Sequence, residues 1–178
     1  LATRGVPGTH DISLALDTIN ALQSAQSVAV PRFNKATDNP FPPAQWPLVD
    51  GPADVVILEG WCVGIKPQIS SQLNAPVNSL EETEDPLGIW RNFVNTELAS
   101  TYQTLFSLID YQVMLKAPSF DCVFNWRLEQ EDKLRAATEG ESTGIMSESE
   151  IARFIQHYQR LTEHALETLP DSCDTVFT

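Results

Sequence analysis

The spacing of apolar positions divides the chain into alternating helical and extended segments. Asp11 stands where an N-cap belongs, and Ile12, Leu14, Ala15, Leu16, Ile19 and Leu22 follow at helical spacing, which predicts a helix over residues 12 to 25. The run VAVPRF, residues 28 to 33, is short and β-prone, and a loop rich in Asn, Asp and Pro continues to about Pro52. In DVVILEGW, residues 54 to 61, four consecutive apolar residues are bounded by Asp54 and Gly60. That pattern predicts a strand buried on both faces, as in helix-covered parallel sheets.

Residues 66 to 86 are polar, broken by prolines, and read as an excursion. A helix is predicted from Leu87 to Ile109, with Trp90, Phe93, Leu98, Tyr102, Leu105 and Phe106 forming its apolar stripe. YQVMLKA, residues 111 to 117, predicts another strand; residues 120 to 138 and 148 to 169 predict amphipathic helices, and the terminal TVFT opens one more strand. Strands alternating with helices give an α/β architecture with a mostly parallel sheet.

Composition narrows the partners. A chain of 178 residues, 42% apolar, is long enough for a single domain with a substantial core. Its formal charge of −13 argues against nucleic acid or an anionic membrane as the main partner. A small anion is still accommodated, because a few arginines can hold one whatever the global charge. No apolar run approaches the roughly 20 residues that span a bilayer, and the residues from Leu1 show no apolar core of a secretory signal. Cys62, Cys122 and Cys173 are widely spaced and odd in number, which reads as buried thiols of a cytoplasmic protein before a metal site or catalytic thiol.

Several motifs are missing: H-E-x-x-H, G-x-S-x-G and G-x-G-x-x-G do not occur. None of the four lysines, Lys35, Lys66, Lys116 and Lys133, follows a glycine, so there is no G-x-x-x-x-G-K-[ST] phosphate loop. His157 and His164 are seven residues apart on one predicted helix, too far to chelate a single ion. Glu59 closes the DVVIL run, where open parallel sheets place their ligands. It reads either as a Mg²⁺-holding carboxylate or as a capping or salt-bridged glutamate. PRFNK sets Arg32, Asn34 and Lys35 on one rim, as a basic cluster or a solvated loop. Arg127 and Arg135 lie eight residues apart, near one face of their helix, where a solvated face is the plainer reading.

RGVPGTHD (residues 4 to 11), VPRFNK, DVVILEGWCVGIKP, the WRLEQE helix and GIMSESEIARFIQHY, in this order, resemble the glycerate 3-kinase group of P-loop kinases over essentially the whole chain. Uridine kinase, phosphoribulokinase and pantothenate kinase are relatives of that group. The resemblance implies a three-layer P-loop NTPase-type fold in which 1–178 form one kinase-like domain with a lid at about 127–147. Its phosphate loop and first strand are missing from this sequence, so the chain is expected to be the C-terminal portion of a longer kinase, inactive alone.

The implied activity is transfer of the γ-phosphoryl group of ATP, with Mg²⁺, to a hydroxyl of a small organic acid, D-glycerate in characterised members. A catalytically dead relative acting as a binding module, or a kinase for another alcohol, are the alternatives. The resemblance makes Glu59 a Mg²⁺-associated carboxylate. It turns Arg32 and Lys35 toward an acceptor carboxylate, and Arg127 and Arg135 toward the transferring phosphoryl group. Gly140 to Met146 read as lid. In RGVPGTHD, Gly5 and Gly8 permit tight turns, Asp11 caps the helix behind, and Arg4 and His10 are aimed at the acceptor.

Overall fold

A computed structural model describes residues 3–25, 27–137 and 146–178. The chain forms two compact units, one of residues 11–60 and one of residues 1–10 with 61–178.

In the smaller unit, helix α1 (Ile12–Ser24) starts at Asp11, whose Oδ1 accepts the Leu14 amide at 2.9 Å. Strand β1 (Ser27–Ala29) pairs antiparallel with β4 (Leu48–Asp50), Val28 opposite Val49. Between them β2 (Phe33–Asn34) and β3 (Asn39–Pro40) form a short hairpin through residues 35–38, with Asp38 at φ 52°. The Asn-, Asp- and Pro-rich stretch predicted as plain loop therefore contains local pairing.

DVVILEGW departs from expectation. Residues 54–60 form no regular element and belong to no ladder among the described residues, with a bend at Asp54. Val55 and Ile57 are 76% and 86% exposed, whereas Val56 and Leu58 are half-buried. The alternation is that of a strand; a ladder partner is what it lacks, so the expected burial on both faces does not occur.

The larger unit is mostly helical. Helices α2 (Ser79–Glu84), α3 (Ile89–Ala99), α4 (Thr101–Phe106), α5 (Asp121–Ala137) and α6 (Glu148–Thr168) surround a core that includes Ile65, Leu98, Tyr102, Leu105, Ile151 and Leu161. The helix predicted from Leu87 to Ile109 is split at Ser100, whose φ of −99° and ψ of −116° leave the helical region. Ser147 and Glu150 form a capping box that starts α6. Strand β5 (Val113–Leu115) runs parallel to β6 (Thr175–Phe177), Met114 opposite Val176. This α/β chain thus shows one parallel and two antiparallel pairs among its described residues, in place of an extensive parallel sheet.

The predicted excursion of residues 66 to 86 contains helix α2, while the stretch 65–75 has little regular structure beyond a 3-10 turn at Ser70–Leu73, and remote side chains satisfy its backbone. Gln103 Nε2 donates to Ile65 O, and His164 Nε2 lies 3.0 Å from Lys66 O. Asn95 bonds both the amide and the carbonyl of Gln68. Arg91 Nε donates to Leu73 O, while Arg160 donates to Gln72 O and Ala75 O. Both guanidiniums are buried and paired, Arg91 with Asp85 and Arg160 with Glu81. Asp85 also accepts the Trp90 and Arg91 amides, capping α3.

Candidate functional site

The RGVPGTH segment is a tight turn held by hydrogen bonds from within and from outside. Gly5 and Gly8 sit at φ 90° and 93°, conformations that favour glycine. Thr9 ties the turn internally: its Oγ1 accepts from the Gly5 amide at 2.9 Å and donates to Val6 O at 2.8 Å. Aromatic residues hold it from outside. Tyr158 OH donates to Arg4 O at 2.8 Å, and Trp61 Nε1 donates to Gly5 O at 2.6 Å. The two rings meet edge to face, with centroids 5.2 Å apart. Val6 and Pro7 are buried.

Tyr102, 2% exposed, supports the other end of the turn. Its hydroxyl accepts the Gly8 amide at 3.0 Å and lies 2.7 Å from His10 Nδ1. Partial burial pulls His10 below the ordinary histidine value. Burial pushes Tyr102 up, against the Gly8 hydrogen bond. The turn thus offers a conformationally fixed arginine backbone and an imidazole whose inner nitrogen is engaged. Sequence alone places Tyr102 in the core stripe and gives no role to Tyr158. The readable signal is that a buried tyrosine hydroxyl needs a partner.

Other predicted residues have the following surroundings. The Arg32 guanidinium lies over the Phe41 ring, 5.2 Å from its centroid, and Lys35 is exposed in the neighbouring turn. Glu59 is exposed near the end of the irregular 54–60 segment. Arg127 and Arg135, alike in sequence, differ in environment. Arg127 pairs with Glu131 and stacks 5.5 Å over Phe154, whereas Arg135 is 55% exposed and pairs with Asp132 at 2.6 Å. Glu131, 2% exposed, also accepts the Met146 amide at 3.2 Å, so one buried carboxylate joins α5 to the start of α6. The lid segment Gly140 to Met146 lies outside the described residues up to 145.

Arg4 and His10 share one turn, and Arg127 and Arg135 share one helix, of the larger unit; Arg32, Lys35 and Glu59 belong to the smaller unit. Gln68, Trp90, Asn95 and His157 help to line a cavity of about 20 Å³, room for one water and too small for an organic acid. Gln68 Oε1 and His157 Nδ1 are buried without a hydrogen-bond partner among the described residues. Among those residues no group of three His, Cys, Asp or Glu side chains is arranged to hold a metal ion, and no helix is long and apolar enough to cross a membrane. Cys62 is buried, which pushes its thiol up to about 11.

No family model matches the chain. It is 29% identical over 177 residues to the chloroplastic D-glycerate 3-kinase of Arabidopsis thaliana, covering 95% of this chain and 36% of that protein. It is 32% identical over 168 residues to the uncharacterized kinase mug58 of Schizosaccharomyces pombe, covering 87% and 56% respectively. Among solved structures, D-glycerate 3-kinase from Cryptococcus neoformans superposes with a TM-score of 0.69 at 26% identity, over 90% of this chain and 57% of that one. The chain therefore spans between 36% and 57% of the length of these proteins. Sequence and fold agree across nearly the whole chain: it is similar to D-glycerate 3-kinases and to kinases related to them.

Proposed function

We propose that this chain is part of an ATP-dependent kinase that phosphorylates a hydroxyl of a small organic acid, with D-glycerate as the acceptor. The observation that carries this reading is the clamped turn from Arg4 to His10, a cationic and an imidazole side chain on a fixed backbone, in a chain similar to these kinases. Preorganisation of that kind suits an acceptor that must meet a phosphoryl group in one orientation.

In this reading Arg4 offsets the acceptor carboxylate, and His10 hydrogen-bonds the acceptor. Arg127 and Arg135 offset charge on the phosphoryl group in flight. Arg127 does so only by exchanging its Glu131 partner. The acceptor oxygen bonds to the γ-phosphorus as the bond to the β–γ bridging oxygen breaks. ADP departs, and the hydroxyl proton passes to a base that we do not assign within this chain.

Mg²⁺ in phosphoryl-transfer sites usually takes one or two carboxylates, the phosphates and water. An exposed carboxylate fits that donor set, so Glu59 would hold the ion. When bound, the ion neutralises charge on the phosphate oxygens.

The test is a panel of acceptors given to the complete protein with ATP, reading ADP and phosphorylated product. D-glycerate turnover supports the reading. Turnover with a nucleoside and none with D-glycerate overturns it. Glycerate binding without any phosphorylation favours the alternative, a binding module that has lost ATP chemistry.

A further inference from the structure

The geometry points to Tyr102 as a positioning residue: its hydroxyl, fixed by the Gly8 amide, holds His10 neutral with the proton on Nε2, so that the ring presents a hydrogen-bond donor outward. Tyr102 OH has one proton to give and two lone pairs. Gly8 N–H, 3.0 Å away, is only a donor, so it commits one lone pair. His10 Nδ1 lies 2.7 Å from the hydroxyl, and the His10 backbone N–H, again only a donor, also acts on it. If the phenol proton points to Nδ1, every group is matched and the imidazole must carry its hydrogen on Nε2. If Nδ1 carried a hydrogen instead, a further donor would converge on the phenol oxygen and its proton would lose its acceptor.

The same geometry disfavours the imidazolium, which needs Nδ1 protonated. The lowered affinity of His10 for a proton, caused by burial, runs in the same direction. Titratable groups facing the pair are few: Cys62 and Glu97 both act on Tyr102, raising its own value. Burial at 2% exposure and edge contact of Tyr102 with Phe106, centroids 6.1 Å apart, keep the hydroxyl from swinging away. The His10 ring lies edge-on to the phenol, 5.9 Å between centroids.

This rests on the reading of His10 as an acceptor contact, which it deepens. A carboxylate or hydroxyl oxygen of the acceptor would accept from Nε2–H, and the turn would reject a ligand offering only a donor there.

The decisive experiment needs no ligand. Long-range ¹H–¹⁵N spectra of the chain distinguish protonated from bare ring nitrogens, and with three histidines the His10 signals are assignable by His157→Gln and His164→Gln. A single Nε2–H tautomer in the wild type, turning into a tautomer mixture with a higher proton affinity in Tyr102→Phe, is the expected result. Nδ1–H in the wild type, or an unchanged spectrum in Tyr102→Phe, overturns the assignment. If that variant does not fold, the wild-type spectrum with its pH titration decides alone.

In the complete enzyme Tyr102→Phe should raise KM for D-glycerate about 3- to 10-fold, the loss of one hydrogen bond, with kcat largely kept. The expected spectra combined with a His10→Ala enzyme of unchanged KM would support the tautomer and refute the acceptor reading, so the two fail separately.

Discussion

The guanidinium of Arg160 on α6 meets the Glu81 carboxylate of α2 as a fork, Nε to Oε1 at 2.7 Å and Nη2 to Oε2 at 2.5 Å, with both side chains 8% exposed. The remaining donors reach Gln72 O and Ala75 O, so the pair also fastens the excursion. Removing one partner leaves a buried charge uncompensated. Glu81→Gln and Arg160→Leu should each destabilise the chain by about 3–5 kcal/mol. Replacing both by Leu and Met should cost less than the sum. Urea titrations of the two singles and the double settle this; additive losses would mean the pair is not coupled.

The two glycines of the turn should respond differently to alanine. A Cβ on Gly8 would lie 2.6 Å from Phe93 Cε1 and 3.0 Å from Glu97 Cγ, on top of an unfavourable φ. At Gly5 nothing lies within 4 Å, and only the backbone objects. Gly5→Ala should cost about 1 kcal/mol and Gly8→Ala roughly 2–3 kcal/mol. Thermal melts of the two variants measure the difference, and equal losses would contradict the packing argument.

Acid should weaken the fold through His157 and His10. His157 takes a proton less readily when folded, mainly because of burial and then of Arg153, with Glu84 opposing. His10 shifts the same way through burial. The unfolded chain therefore binds protons first as pH falls through the ordinary value of 6.5. Their contribution is complete above that value and is lost as pH falls toward the lower folded values. Urea midpoints at pH 7.5 and 5.5 should differ, and His157→Gln should narrow the gap; an unchanged gap removes His157 from the effect.

In the complete enzyme Glu59→Gln should lower kcat by about 10²-fold or more with acceptor affinity nearly unchanged, because a neutral amide holds Mg²⁺ poorly. Steady-state kinetics across a Mg²⁺ series reads this. Wild-type turnover would take Glu59 out of the metal site.

Long periodic segments were legible without coordinates. The helix of residues 12 to 25 and its Asp11 cap follow from local spacing, and α6 follows from a clear apolar face. The break at Ser100 was not, because neither Gly nor Pro marks it. VVIL reads as strand from composition, yet a ladder requires a neighbour that no local pattern supplies. Arg4, Gly5 and His10 attract notice in sequence, whereas their partners Tyr158, Trp61 and Tyr102 stand 154, 56 and 92 residues away. Glu131 looks like one more surface charge on a charged helix, and only the fold of α6 over it reveals a buried carboxylate.

The excursion through 65–75 has a bearing on how this chain tolerates mutation. Its path is written largely in residues outside it: Arg91, Asn95, Gln103, Arg160 and His164 hold carbonyls, which every amino acid possesses. Exposed positions such as Ser70 and Ser71 are therefore free to drift in identity. The distant anchors are not, since each substitution there strands a backbone acceptor that no local change can restore. Variability along the segment and constraint at its anchors are two sides of one arrangement.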